Sequence, residues 1–385
     1  MTVTVNRRAV ERVRAGHPWI YRSDVVSSNA GPGDLVHVAG ERGRPVGWAL
    51  WSSASQISLR FVSTDDEVDE STFWRERIRL AMAYRETLAI SGTASRLVHG
   101  EADRLPAFIV DRYADYLVVQ TLCQGMDRRL SALVDALVDL CQPRGILARN
   151  DPRVRRLEGL PEQVEVVHGT IPDTVEIVES GIRYAVDLRQ GQKTGLFLDQ
   201  QENHQAAARY ARGRALDVFS YQGGFGLPMA RTAETVLCLD SSSSAVAAIQ
   251  ENARRNGLTN VEVREANAFD ELRELEIARQ RFRTIVLDPP AFARNKAAVE
   301  RASAGYKEIN LRALKLLEPG GHLVTCSCSY NVDEALFIAV VEAAAADAHA
   351  GVVLVEKRMQ ARDHPVLLGV PETYYLKCLV LRKIE

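Results

Sequence analysis

From about residue 186 onward, short continuous apolar runs alternate with stretches of helical spacing. The runs predict strands at residues 215–219, 236–240, 261–265, 284–288 and 322–326, with helices such as 242–256 and 302–317 between them. Uninterrupted apolar strands alternating with helices imply a mostly parallel sheet covered on both faces. Two further strands, 352–356 and 374–381, have no long helix between them, so the pair is expected to run antiparallel and to complete seven strands. The first 72 residues read differently: Gly31-Pro32-Gly33-Asp34 precedes a strand at 35–38, and strands at 46–51 and 57–62 follow, as in a small β-barrel. An acidic run at 65–70 and a helix at 73–88 lead into a central α/β zone, 73–185. There the pattern predicts strands at 107–111, 116–122, 145–149 and 182–187 and an amphipathic helix at 128–140. The expected organisation is therefore 1–72, 73–185 and 186–385.

Charge changes this picture only at the front. Across 385 residues, 48 Lys and Arg face 50 Asp and Glu, a net −2, so no global positive field marks a polyanion binder. Residues 1–60 nevertheless carry eight arginines, Arg7 and Arg8 among them, against four carboxylates. Guanidinium forks suit phosphate and stack on bases, so this zone is a candidate RNA surface; a solvated charged face accounts for the same arginines. No stretch approaches 18 uninterrupted apolar residues, and neither secretion nor a membrane span is expected. Six cysteines with no Cys-x-x-Cys pair or Cys/His ladder predict neither a disulfide framework nor a metal, and fit a reduced, cytoplasmic protein.

In an open α/β sheet, ligands bind beyond the carboxyl ends of the strands, near the switch point. After the first strand comes Asp217-Val218-Phe219-Ser220-Tyr221-Gln222-Gly223-Gly224-Phe225-Gly226, whose glycines admit a ligand and whose helix, starting near Phe225, would aim N–H groups at it. The dinucleotide fingerprint is broken, with Met229 at its third glycine. Asp240 ends the second strand, where a carboxylate can accept both hydroxyls of a ribose; capping the next helix through Ser241 is the plainer role. Asn267-Ala268-Phe269, after the third, offers an amide and a ring to an adenine. The fourth strand ends in Asp288-Pro289-Pro290-Ala291-Phe292, where two prolines fix a carboxylate beside an extended loop. Such a loop suits a methyltransferase that binds a flipped base by its edge and covers it with an aromatic ring.

The fifth strand runs into Thr325-Cys326-Ser327-Cys328-Ser329. A thiolate that adds to C6 of cytosine makes C5 able to take a methyl group. Period-two alternation puts Cys326 and Cys328 on one side, but Cys328 lies further toward the ligand edge. Cys326 reads as a small buried hydrophobe.

These residues, together with Gly16-His17-Pro18-Trp19, His99-Gly100-Glu101-Ala102-Asp103-Arg104, Lys193-Thr194-Gly195-Leu196-Phe197-Leu198-Asp199-Gln200, Gly305-Tyr306-Lys307-Glu308-Ile309-Asn310, Asp363-His364-Pro365 and Tyr375-Leu376-Lys377, run in one order along the chain. The set resembles the bacterial 23S ribosomal RNA cytosine-C5 methyltransferases of the large-subunit methyltransferase I type. The resemblance implies an N-terminal PUA domain for RNA, a central α/β domain and a Rossmann-like, seven-stranded, mostly parallel methyltransferase sheet that uses S-adenosylmethionine. It maps the family's Ser-Cys-Ser onto Ser327-Cys328-Ser329, making Cys328 the nucleophile with Asp288 beside it. Cofactor contacts are expected at Phe219, Ser220, Tyr221, Gly223, Gly224, Phe225, Asp240, Ser241, Asn267, Ala268 and Asp288, and at Lys193, Thr194, Phe197, Asp199 and Gln200. Substrate contacts are expected at Pro289, Pro290, Phe292, Arg7 and Arg8, the partner being large-subunit rRNA, and a homodimer is implied by family habit. The fourth-strand loop has no second cysteine, so another base must take the C5 proton, and Gln201 stands where the family usually has arginine. Two alternatives share the residues: methylation of a guanine nitrogen, which needs no thiol, and a non-catalytic rRNA-binding assembly factor.

Overall fold

The computed structural model describes residues 1–293 and 295–385. The chain divides into two units. One comprises Met1–Ile177, Val186–Leu196 and Arg362–Thr373, and the other Val178–Ala185, Phe197–Ala361 and Tyr374–Glu385.

Two sheets build the first unit. The front sheet has six strands in the order Trp19–Tyr21, Ile57–Ser63, Pro45–Trp51, Leu35–Gly40, Thr2–Val5, Val25–Ser28. Its inward positions, Val3, Val5, Ile20, Val36, Val38 and Leu59, are all buried, as alternation requires. Within this zone, read from the sequence as a small β-barrel, stands the helix Arg7–Arg14, started by Asn6, whose side chain accepts the Ala9 N–H at 3.0 Å. Its eight residues include four arginines and bury only Ala9, so no apolar stripe announces it. The second sheet orders Gln163–Gly169, Gly145–Asn150, Tyr116–Thr121, Phe108–Tyr113 and Ala94–His99. The helix expected at 128–140 is divided into Gln124–Arg128 and Leu130–Cys141.

The second unit holds one open seven-stranded sheet, beside most of a two-stranded sheet, Val175–Glu179 with Ile182–Val186. Strands β1 (Arg214–Val218), β2 (Thr235–Asp240), β3 (Val261–Glu265), β4 (Phe282–Leu287), β5 (Leu317–Ser327), β6 (Val352–Arg358) and β7 (Lys377–Lys383) lie in the order β3-β2-β1-β4-β5-β7-β6. Strand β1 pairs in parallel with β2 and β4, β2 with β3, and β4 with β5. Strand β7 is antiparallel to both β5 and β6, so the sheet is mixed. Helices α1 (Gln201–Tyr210), α2 (Ser243–Arg255), α3 (Ala268–Ile277), α4 (Val299–Leu316) and α5 (Glu334–Asp347) accompany it. Ser242, Asn267 and Asp333 cap α2, α3 and α5 with side-chain oxygens.

Leu216, Leu237, Ile285, Leu287, Ile309, Leu314, Leu323 and Phe337 form part of one buried cluster. Each contributes roughly 1.5–3 kcal/mol by leaving water. This core fixes the carboxyl ends of β1, β2, β4 and β5, and the order reverses between β1 and β4, which is where an open sheet leaves a crevice. Among the described residues no helix is long and apolar enough to cross a membrane.

Candidate active site

The loop after β1 is held in an unusual backbone. Phe219 and Tyr221 take left-handed conformations, φ +70° and +51°, which bulky L-residues adopt only where neighbours impose them. Here the Phe219 and Ser220 N–H groups both donate to the Leu239 carbonyl, at 3.0 and 2.9 Å. The Tyr221 N–H donates to Asp240 Oδ2 at 2.9 Å, and Asp240 Oδ1 accepts the Ser242 N–H at 2.9 Å. The half-buried Asp240 carboxylate therefore ties the end of β2 to the loop after β1, while Ser242 rather than Asp240 caps α2. Phe197 meets Tyr221 edge-on at 5.3 Å, and Ser241 is exposed.

The loop glycines also answer to the protein's own packing. A Cβ on Gly224 would sit 2.7 Å from the His204 ring, and one on Gly226 2.4 Å from Cys238 Sγ. The helix that follows is only the four-residue turn Gly226–Met229. Its leading N–H groups are already used, Gly226 on Asp217 Oδ2 at 2.8 Å and Leu227 on the Gly223 carbonyl at 3.0 Å. It therefore offers no helix N-terminus to a ligand, unlike the expectation.

Burial of Asp217, reinforced by the Asp288 charge, pushes its carboxyl up to about 7. Beneath the loop, His204 Nδ1 lies 2.6 Å from Glu179 Oε1 and its ring meets Phe225 edge-on at 4.5 Å. Burial alone would lower the His204 imidazole, but the Glu179 charge and hydrogen bond raise it.

At the end of β3, Asn267 is exposed and spends its side-chain carbonyl on the Phe269 N–H at 3.0 Å, while Ala268 is buried. At the end of β4, half-buried Asp288 accepts a 2.9 Å hydrogen bond from Gln200 Nε2. Gln200 Oε1 in turn accepts from Asn203 Nδ2 at 2.7 Å, and Tyr375 donates to Asp199 Oδ2 at 2.7 Å. Asp199 and Gln200 are each 2% exposed, and Gln200 braces the carboxylate that closes β4. Pro289 is buried and Pro290 exposed. The Phe292 ring lies 4.7 Å from Tyr306 and 6.1 Å from Phe269, so part of it is committed to the protein.

Burial separates the two cysteines of β5. Cys326 is fully buried opposite Cys378 of β7, and burial pushes its thiol far above the usual range. Cys328, just beyond the strand, is half-buried, with Sγ 3.9 Å from the Pro289 carbonyl oxygen. The flanking serines hold this turn. Ser327 Oγ donates to the Tyr306 hydroxyl at 3.1 Å, which lies 3.0 Å from Ser329 Oγ, and Ser329 Oγ accepts the Ala293 N–H at 3.2 Å. Tyr306 thus couples the Cys328 turn, the β4 loop and α4. Sequence reasoning named it only within the 305–310 block of the resemblance and gave it no role, since nothing in its helical spacing points to β5.

Lys193, Thr194, Arg7 and Arg8 lie in the first unit. Lys193 is exposed with φ +52°, and buried Thr194 donates to Asp111 Oδ2 at 2.6 Å. Arg7 pairs with Glu11 at 2.7 Å, and Arg8 Nε donates to Asp24 at 2.7 Å. Among the described residues no cluster of His, Cys, Asp and Glu could hold a metal ion.

The residues around the β1 and β2 ends fit a nucleoside. The Asp240 oxygens are oriented by two N–H groups and retain lone pairs for a ribose diol, and Gln222 Oε1 is buried with no protein partner.

Residues 3–64 match the PUA-like domain family, and residues 96–382 match the S-adenosylmethionine-dependent methyltransferase family. Ribosomal RNA large subunit methyltransferase I of Tolumonas auensis is 39% identical over 394 residues, spanning 100% of this chain and 99% of the relative. The protein of that name from Shewanella denitrificans is 40% identical over 386 residues, spanning 97% and 96%. A methyltransferase crystallised in complex with SAH shares the fold, with a TM-score of 0.86 at 20% identity over 99% of this chain and 100% of that one. A Streptococcus mutans methyltransferase gives 0.84 at 19% identity with the same coverage. The chain belongs to the S-adenosylmethionine-dependent methyltransferase family, in the group of ribosomal RNA large subunit methyltransferase I, with a PUA-like domain at its front and S-adenosylmethionine as its cofactor.

Proposed function

We propose that this enzyme forms 5-methylcytosine in large-subunit ribosomal RNA through a transient bond between Cys328 Sγ and C6 of the base. The observation that carries this reading is the placement of a half-buried thiol 3.9 Å from the Pro289 carbonyl oxygen, one residue beyond the Asp288 carboxylate. The relatives' shared name supports rRNA as substrate, the PUA-like match supports an RNA-binding front, and an rRNA substrate supports a cytoplasmic site of action.

When bound, S-adenosylmethionine supplies a methyl group on a positively charged sulfur. The Tyr221–Gly226 loop and Phe197 would hold it, with Asp240 on the ribose and Asn267 and Ala268 at the adenine. Cys328 acts on the base. Its thiolate pair forms the Sγ–C6 bond, and the C5–C6 π pair moves onto C5, which becomes the nucleophile for methylation. Loss of the C5 proton to a base then restores the double bond, and the Sγ–C6 pair returns to sulfur. Asp288, steadied by Gln200, faces the N3/N4 edge of the cytosine, and the two prolines keep that carboxylate from swinging. Methylation of a guanine nitrogen would leave the Cys328 placement without a task.

Bisulfite sequencing of rRNA from cells with and without the gene tests the reading. One protected cytosine in the large subunit is expected to lose protection on deletion. Unchanged protection, with a methylated guanine lost instead by mass mapping, would overturn it.

A further inference from the structure

Lys377, the first residue of β7, is 2% exposed, and in the β5–β7 register it faces Ser327. Its ammonium donates to the Ser329 carbonyl at 2.7 Å and to the Tyr375 carbonyl at 3.0 Å. Both acceptors are neutral, and among the described residues no carboxylate is paired with it. A buried charge without a counter-ion is expensive, and a fold with only stability at stake would place an apolar side chain here. Ser329, whose carbonyl holds the ammonium, adjoins Cys328 in the chain, and Cys328 becomes an anion in use. We propose that Lys377 is a positioning residue whose fixed positive charge is the counter-ion of the Cys328 thiolate, so that the nucleophile forms at neutral pH.

Burial pulls the Lys377 ammonium down to about 8, and the charge that resists this most is that of Cys328, ahead of Asp333 and Glu334. The coupling therefore runs between the lysine and the thiol in both directions. Other titratable groups around the pair are Tyr306, whose phenol burial keeps neutral, Cys326 and Cys378 deeper on β5 and β7, and Asp288 at the end of β4. The thiol proton leaves to solvent, the sulfur keeps the electron pair, and Lys377 remains protonated throughout. No oxidant or further reactant is needed.

The assignment gives a purpose to the thiol that the proposed methylation uses, and it is tested without methylation. The rate at which iodoacetamide modifies Cys328 in the full-length protein, followed by peptide mass, is measured against pH. The wild-type midpoint is expected about one unit or more below the ordinary thiol value of about 8.5. Lys377→Met should raise the midpoint by about a unit and slow modification at pH 7 about tenfold, whereas Lys377→Arg should keep it low. A Lys377→Met protein with wild-type circular dichroism and an unshifted midpoint would overturn the assignment. So would a wild-type midpoint at or above about 8.5, which decides the matter even if Lys377→Met does not fold. Either result would leave the covalent reading standing. Conversely, methylation by Cys328→Ala would remove that reading without moving the alkylation midpoints.

Discussion

Gln200 and Asp288 stand 88 positions apart in the chain and share a 2.9 Å hydrogen bond, amide nitrogen to carboxylate oxygen. The bond orients the carboxylate that closes β4. Gln200→Ala should reduce kcat about tenfold and cost roughly 1.5–3 kcal/mol of stability, since one hydrogen bond to a charged group is lost. Gln200→Glu should be worse for catalysis, because a second carboxylate would repel the Asp288 charge and raise the pair's protonation. Steady-state methylation with matched thermal melts checks both.

The Tyr306 hydroxyl bridges Ser327 and Ser329, the two neighbours of the thiol. Tyr306→Phe leaves the ring stack on Phe292 and Phe337 intact but leaves two buried serine hydroxyls short of a partner. A stability loss of about 1–3 kcal/mol is expected. Activity should fall more than cofactor affinity, because the lost bonds hold the nucleophile's turn. Denaturant melts and calorimetric titration with S-adenosylmethionine separate the two effects.

Asp217 makes stability depend on pH. Its carboxyl rises on folding from 3.8 to about 7. Below about pH 4 it is protonated in both states and its full contribution is present. Between about 4 and 7 the unfolded chain ionises first, so stability falls as pH rises, by about 1.4 kcal/mol per pH unit and roughly 4 kcal/mol in all. Above 7 both states are ionised and the effect is flat. Asp217→Asn cannot titrate, so relative to wild type its urea-melt stability should gain across that window. Parallel curves for the two proteins from pH 4.5 to 7.5 would contradict this.

Gly226 is closed to substitution for a packing reason. A methyl group there would press on Cys238 Sγ at 2.4 Å and Asp217 Oδ2 at 2.9 Å, both in the sheet core. Gly226→Ala should cost about 1–3 kcal/mol, and Cys238→Ala in the same chain should restore part of it. A chemical-melt double-mutant cycle reads this directly.

What the sequence made legible is the part that local chemistry controls. The apolar runs of β1, β2, β4 and β5 show as strands because most of their residues are buried, and the absence of a long helix before β7 left the last pair open to an antiparallel run, which the sheet has. Asp240, Asp288 and Cys328 were found because strand ends are where an open sheet must put its ligands. The rest depends on contacts distant in sequence. Glycine density suggested a ligand's approach, and the crowding that His204 and Cys238 add at Gly224 and Gly226 could not be read from it. Asp199 and Gln200 were expected at the cofactor from a motif, and only the folded chain shows Gln200 holding Asp288 and Asp199 meeting Tyr375. Tyr306 and Lys377 stood in blocks of the family resemblance, but no role could be read for either, because their contacts to the Cys328 turn come from elements distant in sequence.

The account stands or falls on a sulfur–carbon bond, and a fluorinated substrate can arrest it. With large-subunit rRNA carrying 5-fluorocytidine and with S-adenosylmethionine present, fluorine at C5 cannot leave as a proton does, so elimination stops. The predicted result is a denaturant-stable protein–RNA complex whose digested peptide carries a methylated fluorocytidine nucleotide on Cys328. Full methylation of ordinary rRNA by Cys328→Ala, with no trapped complex from wild type, would contradict it.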